Sequence, residues 1–353
     1  MRKSLLKYIL CPVCRGELKV EEWTVENKCV KEGIIRCKHK HWFPIIDFIP
    51  RLLNDDLKKE ILLPKKQDFF RKYQTKLPDL HVKQKQYNKS RTADIFGYEW
   101  KEFDKLYDVY ENQFKEWTYP ISKKFFKGKF ILDAGCGTGR HIFYSRKYGC
   151  KEIIGVDLSE AVEVAYKNNL AENVHIIHAD ILDLPFKEGI FDFIYSIGVL
   201  HHLPEPKKGF LGLLKFGKKD SKIAVWLYGA PSWILKYFFD PLRKKVISKL
   251  PTRVIKLIAL FITMVSFTLA KLIYGPLNRL TKLAKYLPLN FTLNYLSKFN
   301  FKIVYSMMYD IISPPNQFYL TRQDMEEWFI RDELKNPVIT GLKHSWTGNA
   351  DIK

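Results

Sequence analysis

Five short apolar runs recur between residues 130 and 228, each followed by a turn and a longer mixed segment. They are Phe130–Ala134, Lys151–Asp157, Val174–Asp180, Phe191–Ser196 and Lys222–Tyr228. Runs this short with polar ends read as strands buried in a sheet, and the segments between them are long enough for crossover helices. The alternation is βαβαβ, so the fold class is α/β with a mostly parallel, doubly wound sheet. Beyond residue 320 the capping pattern of Thr321-Arg-Gln-Asp predicts a helix through Phe329. Pro337–Lys343 and Ser345–Asp351 supply two further strands, which brings the sheet to seven.

The first run leads into Gly135-Cys-Gly-Thr-Gly-Arg140, a glycine-rich turn that opens a helix. Glycines at 135, 137 and 139 let the backbone turn sharply and bring its N–H groups close to a ligand at a helix N-terminus. Acids close the strand that follows and the one after it, Asp157 and Asp180, and a third, Asp133, lies inside the first turn of the loop. Arg140 stands where a dinucleotide fingerprint requires glycine or alanine, and Asp133 would sit badly beside a pyrophosphate. A cationic ligand without phosphate suits these carboxylates better.

Four ordered stretches carry a family resemblance: Leu132–Arg140, Gly155–Ser159, Ala179–Phe186 and Phe191–Pro204. Together they resemble the class I S-adenosylmethionine-dependent methyltransferases, over roughly residues 96 to 228. The resemblance implies a Rossmann-like core that binds S-adenosyl-L-methionine. Asp133, Gly135, Gly137 and Gly139 would hold the methionine part, Asp157 and Leu158 the ribose end, and Asp180 and Ile181 the adenine. Ser196 would lie by the methionine end, and Phe96-Gly-Tyr-Glu-Trp100 is a candidate aromatic flap, with plain core packing as its alternative. His201 and His202 are the candidate catalytic bases, although such a pair also serves as a structural turn. Ser196-Ile-Gly-Val is not an Asn-Pro-Pro-Tyr type motif, which argues against methylation of the exocyclic amine of adenine or of a glutamine.

Ahead of the core, Cys11-Pro-Val-Cys14 and Cys37-Lys-His-Lys-His41 offer Cys11, Cys14, Cys37 and His41 as a tetrahedral zinc set. The segment resembles the small zinc ribbons that precede some methyltransferases. Lys40 stands where many of those ribbons carry the fourth cysteine, so His41 or His39 would have to replace it. The expected organisation is a zinc-ribbon-like β domain over 1–55 and a helical linker over 56–95. The cofactor-binding core over 96–228 follows, then a helical insertion after the fifth strand over 229–320, and 321–353 completes the core. Cys29, Cys136 and Cys150 have no paired spacing, and no apolar leader opens the chain; a reducing cytoplasm is expected.

Charge changes the picture. The 353-residue chain carries a net charge of +21, but residues 1–95 hold 22 Lys and Arg against 12 Asp and Glu, and residues 229–320 hold 13 against 2. The remainder is neutral, with 24 of each sign, so the basicity belongs to the two added regions and points to an anionic partner. The insertion contains the 14-residue apolar run Leu257–Ala270 between Lys256 and Lys271. That is short of the ~20 residues of a membrane span. The favoured expectation is a buried helix of a helical lid, with a helix lying on an anionic membrane surface as the alternative. Tyr228, Tyr309, Tyr319 and Asp310 are candidate pocket residues.

Methyl transfer to a small hydrophobic or lipid-like acceptor is therefore the leading expectation, in the cytoplasm or peripheral at the inner membrane surface. Two alternatives remain. The Cys/His pattern before such a core also resembles bacterial rRNA guanine-N1 methyltransferases, which would make an RNA base the acceptor. A non-catalytic cofactor-binding scaffold is the other.

Overall fold

The computed structural model describes residues 1–83, 87–107, 109–229, 237, 239–342 and 345–353. Residues 84–86 of the expected linker, 230–236 at the start of the expected insertion, and Lys343 at the end of a predicted strand lie outside the described residues.

The chain divides into two compact units, one of residues 1–231 with 316–353 and one of residues 232–315. In the first, an antiparallel sheet is built from β1 (Leu18–Glu26), β2 (Cys29–Cys37), β3 (Trp42–Ile46) and β4 (Ile49–Pro50), in that order. The larger sheet holds β5 (Phe130–Ala134), β6 (Glu152–Asp157), β7 (Val174–His178), β8 (Phe191–Ile197), β9 (Gly217–Tyr228), β10 (Leu334–Leu342) and β11 (Ser345–Ile352). Its order is β10-β11-β9-β8-β5-β6-β7, the expected seven-stranded Rossmann-like sheet. The central pairs are parallel, while β11 runs antiparallel to both β9 and β10.

Strand β5 lies between β6 and β8, so the chain reverses its direction of travel across the sheet there. In such sheets the crevice beyond the carboxyl ends at this switch point is where ligands bind. The strands around it are almost wholly apolar: Ile131, Leu132, Ile153, Ile154, Phe193 and Ile194 are fully buried. Burial on both sheet faces explains why these runs show no alternation in the sequence. The predicted helix after residue 320 spans Arg322–Phe329, with Thr321 and Asp324 forming a reciprocal capping box.

The small sheet is joined to the large one as a single unit. Arg51 bridges to His178 on β7, and Leu52 N–H donates to the His178 carbonyl at 2.8 Å. The Arg51 guanidinium is fully buried, with its Nη1 3.1 Å from His178 Nδ1 and its Nη2 3.3 Å from Glu163. Ile9 pairs with Phe186, and Leu5, Ile9, Ile35 and Phe43 share one apolar core with Leu132, Val156 and Phe186. The linker contributes helices Gln67–Lys72 and Tyr87–Glu102. Leu57, Ile61, Phe69, Tyr73 and Ala93 pack with Ile46 and Leu53 in a separate cluster.

The second unit is helical. Its main feature is a continuous helix of 29 residues, Thr252–Leu280, which contains a π-helical turn at Ala270–Tyr274. Helix Phe301–Ile312 packs against it antiparallel, with the Phe267 and Phe301 rings 5.4 Å apart and Tyr305 donating to the Lys256 carbonyl at 3.2 Å. This corrects the expectation of a short buried helix. Helical structure continues past both lysines, and only 17% of the most apolar 18-residue window is buried. Neighbours cover one stripe, Ile255, Ala259, Thr263 and Ala270, and leave the opposite face to solvent.

Candidate active site

The glycine turn is shaped by contacts on both sides. Gly135 has φ +92° and a Cβ there would overlap Val199, while Gly139 has φ +75° and a Cβ there would overlap Asn169, so neither position accepts another residue without displacement. The N–H groups of Gly135 and Cys136 donate to the Val156 carbonyl at 2.8 and 2.9 Å. Gly137 N–H donates to Asp157 Oδ2 at 2.9 Å, which ties the turn to the end of β6. Helix Arg140–Lys147 begins directly after Gly139.

Three acids line the carboxyl ends of β5, β6 and β7, and each has a different environment. Asp133 is wholly buried, and neither of its oxygens has a hydrogen-bond partner of normal geometry. Burial pushes its carboxyl well above the usual range, against a weaker opposing pull from the Tyr195 hydroxyl. An orphaned buried carboxyl of this kind is costly unless a ligand completes it. Asp157 Oδ1 accepts from Ser159 N–H at 2.8 Å and from Ser159 Oγ at 2.7 Å. Burial raises its pKa, and the hydrogen bonds from Ser159 and Gly137 oppose that rise. Asp180 caps the turn Ile181–Asp183 by accepting from Leu182 N–H at 3.0 Å, and its other oxygen accepts from Lys89 Nζ at 2.5 Å.

The remaining candidate residues fall around these acids. The Leu158 carbonyl accepts from His178 Nε2 at 2.7 Å, Ile181 is buried, and the Ser196 hydroxyl donates to the Ala134 carbonyl at 2.8 Å. His201 is wholly buried, with its ring 4.2 Å from both the His202 and Tyr228 rings. Burial, and secondarily His202, hold its pKa well below the ordinary histidine value. His202 Nδ1 donates to the Asn316 carbonyl at 3.0 Å, and the His201 carbonyl accepts from Phe318 N–H at 2.9 Å. The pair therefore anchors the segment that leads into the last helix. The flap residues lie on helix Tyr87–Glu102, where Phe96 sits 4.9 Å from the His202 ring and the Trp100 indole packs beside Gly137.

A family model described as a methyltransferase domain matches residues 132–225, the stretch that carries the glycine turn and all three acids. Residues 132–225 are a methyltransferase domain. S-adenosylmethionine would bring a sulfonium, an ammonium and ribose hydroxyls to this crevice, and the carboxylates that line it suit those groups. A tRNA U34 carboxymethyltransferase of Psychromonas ingrahamii is 38% identical over 85 residues, covering 23% of this chain and 26% of that protein. A demethylmenaquinone methyltransferase of Staphylococcus aureus is 33% identical over 126 residues, covering 33% of this chain and 52% of that protein. The chain thus spans about a quarter and about half of the length of these two relatives. An Anabaena variabilis SAM-dependent methyltransferase structure is 14% identical with a TM-score of 0.40, covering 74% of this chain and 95% of that one.

Two features of the methyltransferase domain's surroundings were not visible in the sequence. Lys89 supplies a cation to Asp180 from 91 residues away, a pairing without local signal. The Arg140 guanidinium sits among the rings of Tyr110, Trp100 and Trp117, at 4.9, 5.4 and 5.6 Å from their centroids. The aromatic residues of 96–117 could have hinted at such a cage, but not at its occupant.

The cysteine cluster of the ribbon fits a zinc ion. Ligand atoms of Cys11, Cys14, Cys37 and His41 all lie within 4.8 Å of one another. Cys14 and Cys37 Sγ are 3.7 Å apart, and His41 Nδ1 is 3.6 Å from Cys11 Sγ and 3.4 Å from Cys37 Sγ. A tetrahedron with ordinary zinc bond lengths requires S···S near about 3.8 Å and S···N near about 3.6 Å. His39 Nδ1 lies 3.2 Å from Cys14 Sγ, outside the four-atom set. Burial pushes the Cys11 thiol up to about 12. Burial also opposes ionisation of Cys14, but hydrogen bonds from His39, Gly16 and His41 outweigh it and bring that thiol down to about 6.

Two outcomes are expected. Asp157→Ala removes a carboxylate that would meet the ribose hydroxyls and should weaken S-adenosylmethionine binding by roughly 10- to 100-fold; an unchanged dissociation constant in a calorimetric titration refutes the contact. Metal analysis of the purified protein should give close to one zinc per chain. Cys37→Ser should lose the metal and lower the thermal midpoint, and a metal-free wild type of equal stability contradicts the site.

Proposed function

We propose that the chain transfers the S-adenosylmethionine methyl group to a nucleophile on a small hydrophobic or lipid-like acceptor. The observation that carries this reading is the apolar exposure of the helical unit. Leu257, Phe261 and Leu272 on one long helix are 65%, 64% and 72% exposed. Residues 241–309 contain no Asp or Glu at all. A surface that is both apolar and basic matches an acceptor with a greasy body and an anionic setting. The relative named for demethylmenaquinone, a lipid quinone, is consistent with such an acceptor.

The chemistry asks little of the protein beyond placement. S-adenosylmethionine supplies an electrophilic methyl group whose transfer discharges the sulfonium. Asp133, Asp157 and Asp180 would hold it by its ammonium, ribose and adenine ends, and the glycine turn allows the close approach. The chain's remaining task is to align the acceptor and exclude water. His201 stays neutral at pH 7, but its complete burial and its role in holding residues 316–318 favour a structural part. His202, beside Phe96, is the better placed of the two for proton transfer. The protein is read as cytoplasmic, with peripheral contact at an anionic membrane surface.

A second reading has its own support. The tRNA-directed relative is 38% identical over its matched segment, and the first 95 residues carry a surplus of ten positive charges. An RNA base would then be the acceptor and the ribbon its recognition element.

The two separate in one experiment. Purified protein and methyl-labelled S-adenosylmethionine are incubated with a cell extract, and the product is fractionated into lipid, RNA and small-molecule pools. Label in the lipid-extractable pool supports the proposal. Label in RNA establishes the alternative, and label in no pool, with cofactor binding intact, contradicts enzymatic function.

A further inference from the structure

The long helix of the second unit carries a surface whose shape and charge go further than a generic lid. At 100° per residue, Leu257, Phe261, Met264, Val265 and Leu272 fall within a sector of roughly 100°. All five are exposed, and Arg253 and Lys271 lie together just beyond one edge of the sector. The stripe continues through the end of the helix and into the segment after it, where Leu280, Leu283, Tyr286 and Leu289 are 82%, 71%, 76% and 63% exposed. Arg279, Lys282 and Lys285 are interleaved with them and are also exposed. Across residues 241–309 there are twelve Lys and Arg and no acid.

We infer that this stripe and its following turn form an interfacial membrane-docking surface, lying in the headgroup region of an anionic bilayer. Apolar side chains would enter the acyl boundary while the basic side chains at the edge and in the turn meet lipid phosphates. The absence of acids along the surface is the charge complement of such a bilayer.

The 29-residue helix is long and apolar enough to cross a bilayer, but the lysines within it and its short partner fit a flat orientation better. Lys256 and Lys271 are 15 residues apart. That separation corresponds to about 22 Å of helix, short of the ~30 Å hydrocarbon core. The opposite face of the helix is occupied by Phe301–Ile312, a partner of 12 residues that is too short to cross with it. One covered face and one exposed apolar face are the signature of a helix lying flat. The inference deepens the lipid-like reading above by naming where such an acceptor is met, and rests on it for that purpose.

Flotation of the full-length protein with vesicles tests it. Phosphatidylcholine vesicles are compared with vesicles containing roughly one-third phosphatidylglycerol, at low and high salt. The protein should float with the anionic vesicles and at least about tenfold less with the neutral ones or at high salt. Leu257→Glu combined with Phe261→Glu should abolish flotation, and Lys282→Glu combined with Lys285→Glu should weaken it. Thermal unfolding and S-adenosylmethionine affinity of each variant establish that it remains folded. Failure of the wild type to float overturns the inference, as does retention in the membrane through alkaline carbonate, which marks a spanning helix. A stable dimer in sedimentation velocity that the Leu257/Phe261 variant dissociates assigns the surface to a second copy. RNA binding without flotation assigns it to a nucleic acid. Labelled lipid product without flotation would leave the acceptor reading standing and remove only the docking surface.

Discussion

The hydrogen bond from Gly137 N–H to Asp157 Oδ2 is the constraint on which the cofactor crevice depends. Three glycines at positive φ would leave the turn after β5 free to take many shapes, and the Asp157 carboxylate selects one. The same carboxylate holds Ser159, so the turn after β5 and the turn after β6 are fixed relative to each other. Desolvation of Asp157 is offset in part by those hydrogen bonds, whereas Asp133 one strand away has only the weaker opposing pull of the Tyr195 hydroxyl and no hydrogen-bond partner of normal geometry. One acid is thus built into the frame and the other is left to be completed by a ligand. That contrast is the physical argument for a cationic group near Asp133.

The ribbon extends the same frame. Arg51, itself fully buried, ties the end of the small sheet to His178 at the edge of the large one and pairs with the partly exposed Glu163 on helix Ala161–Asn168. Breaking such a buried pair from one side is expensive, so the two sheets are energetically one body. The Cys/His cluster borders the shared apolar core, since Cys11 and Cys37 pack with Ile9 and Phe43. Zinc binding would therefore brace the sheet edge beside β7, whatever else the ribbon recognises.

Much of this was legible in the chain before any coordinates. The five apolar runs became β5 to β9, and the capping pattern at Thr321 became the helix it predicted, because buried parallel strands and helix caps are local properties. The Cys/His set also assembled as its spacing suggested. Long-range pairings were not legible. Nothing near Lys89 announces Asp180, and nothing near Arg51 announces His178. The 14-residue apolar run misled in another way. Hydrophobicity alone implied burial, but burial depends on whether neighbours cover the whole circumference of a helix, and here they cover one side.

The resulting account separates two tasks. In the proposed function, a neutral core with three acids would meet the cofactor, and a basic helical unit with an exposed apolar face would meet the acceptor or the surface that carries it. Calorimetric titration of S-adenosylhomocysteine into the wild type and into the Leu257→Glu, Phe261→Glu double variant tests that separation most directly. Equal affinities are predicted, since no residue assigned to the cofactor lies in the helical unit. A loss in the double variant as large as that caused by removing Asp157 would contradict the division.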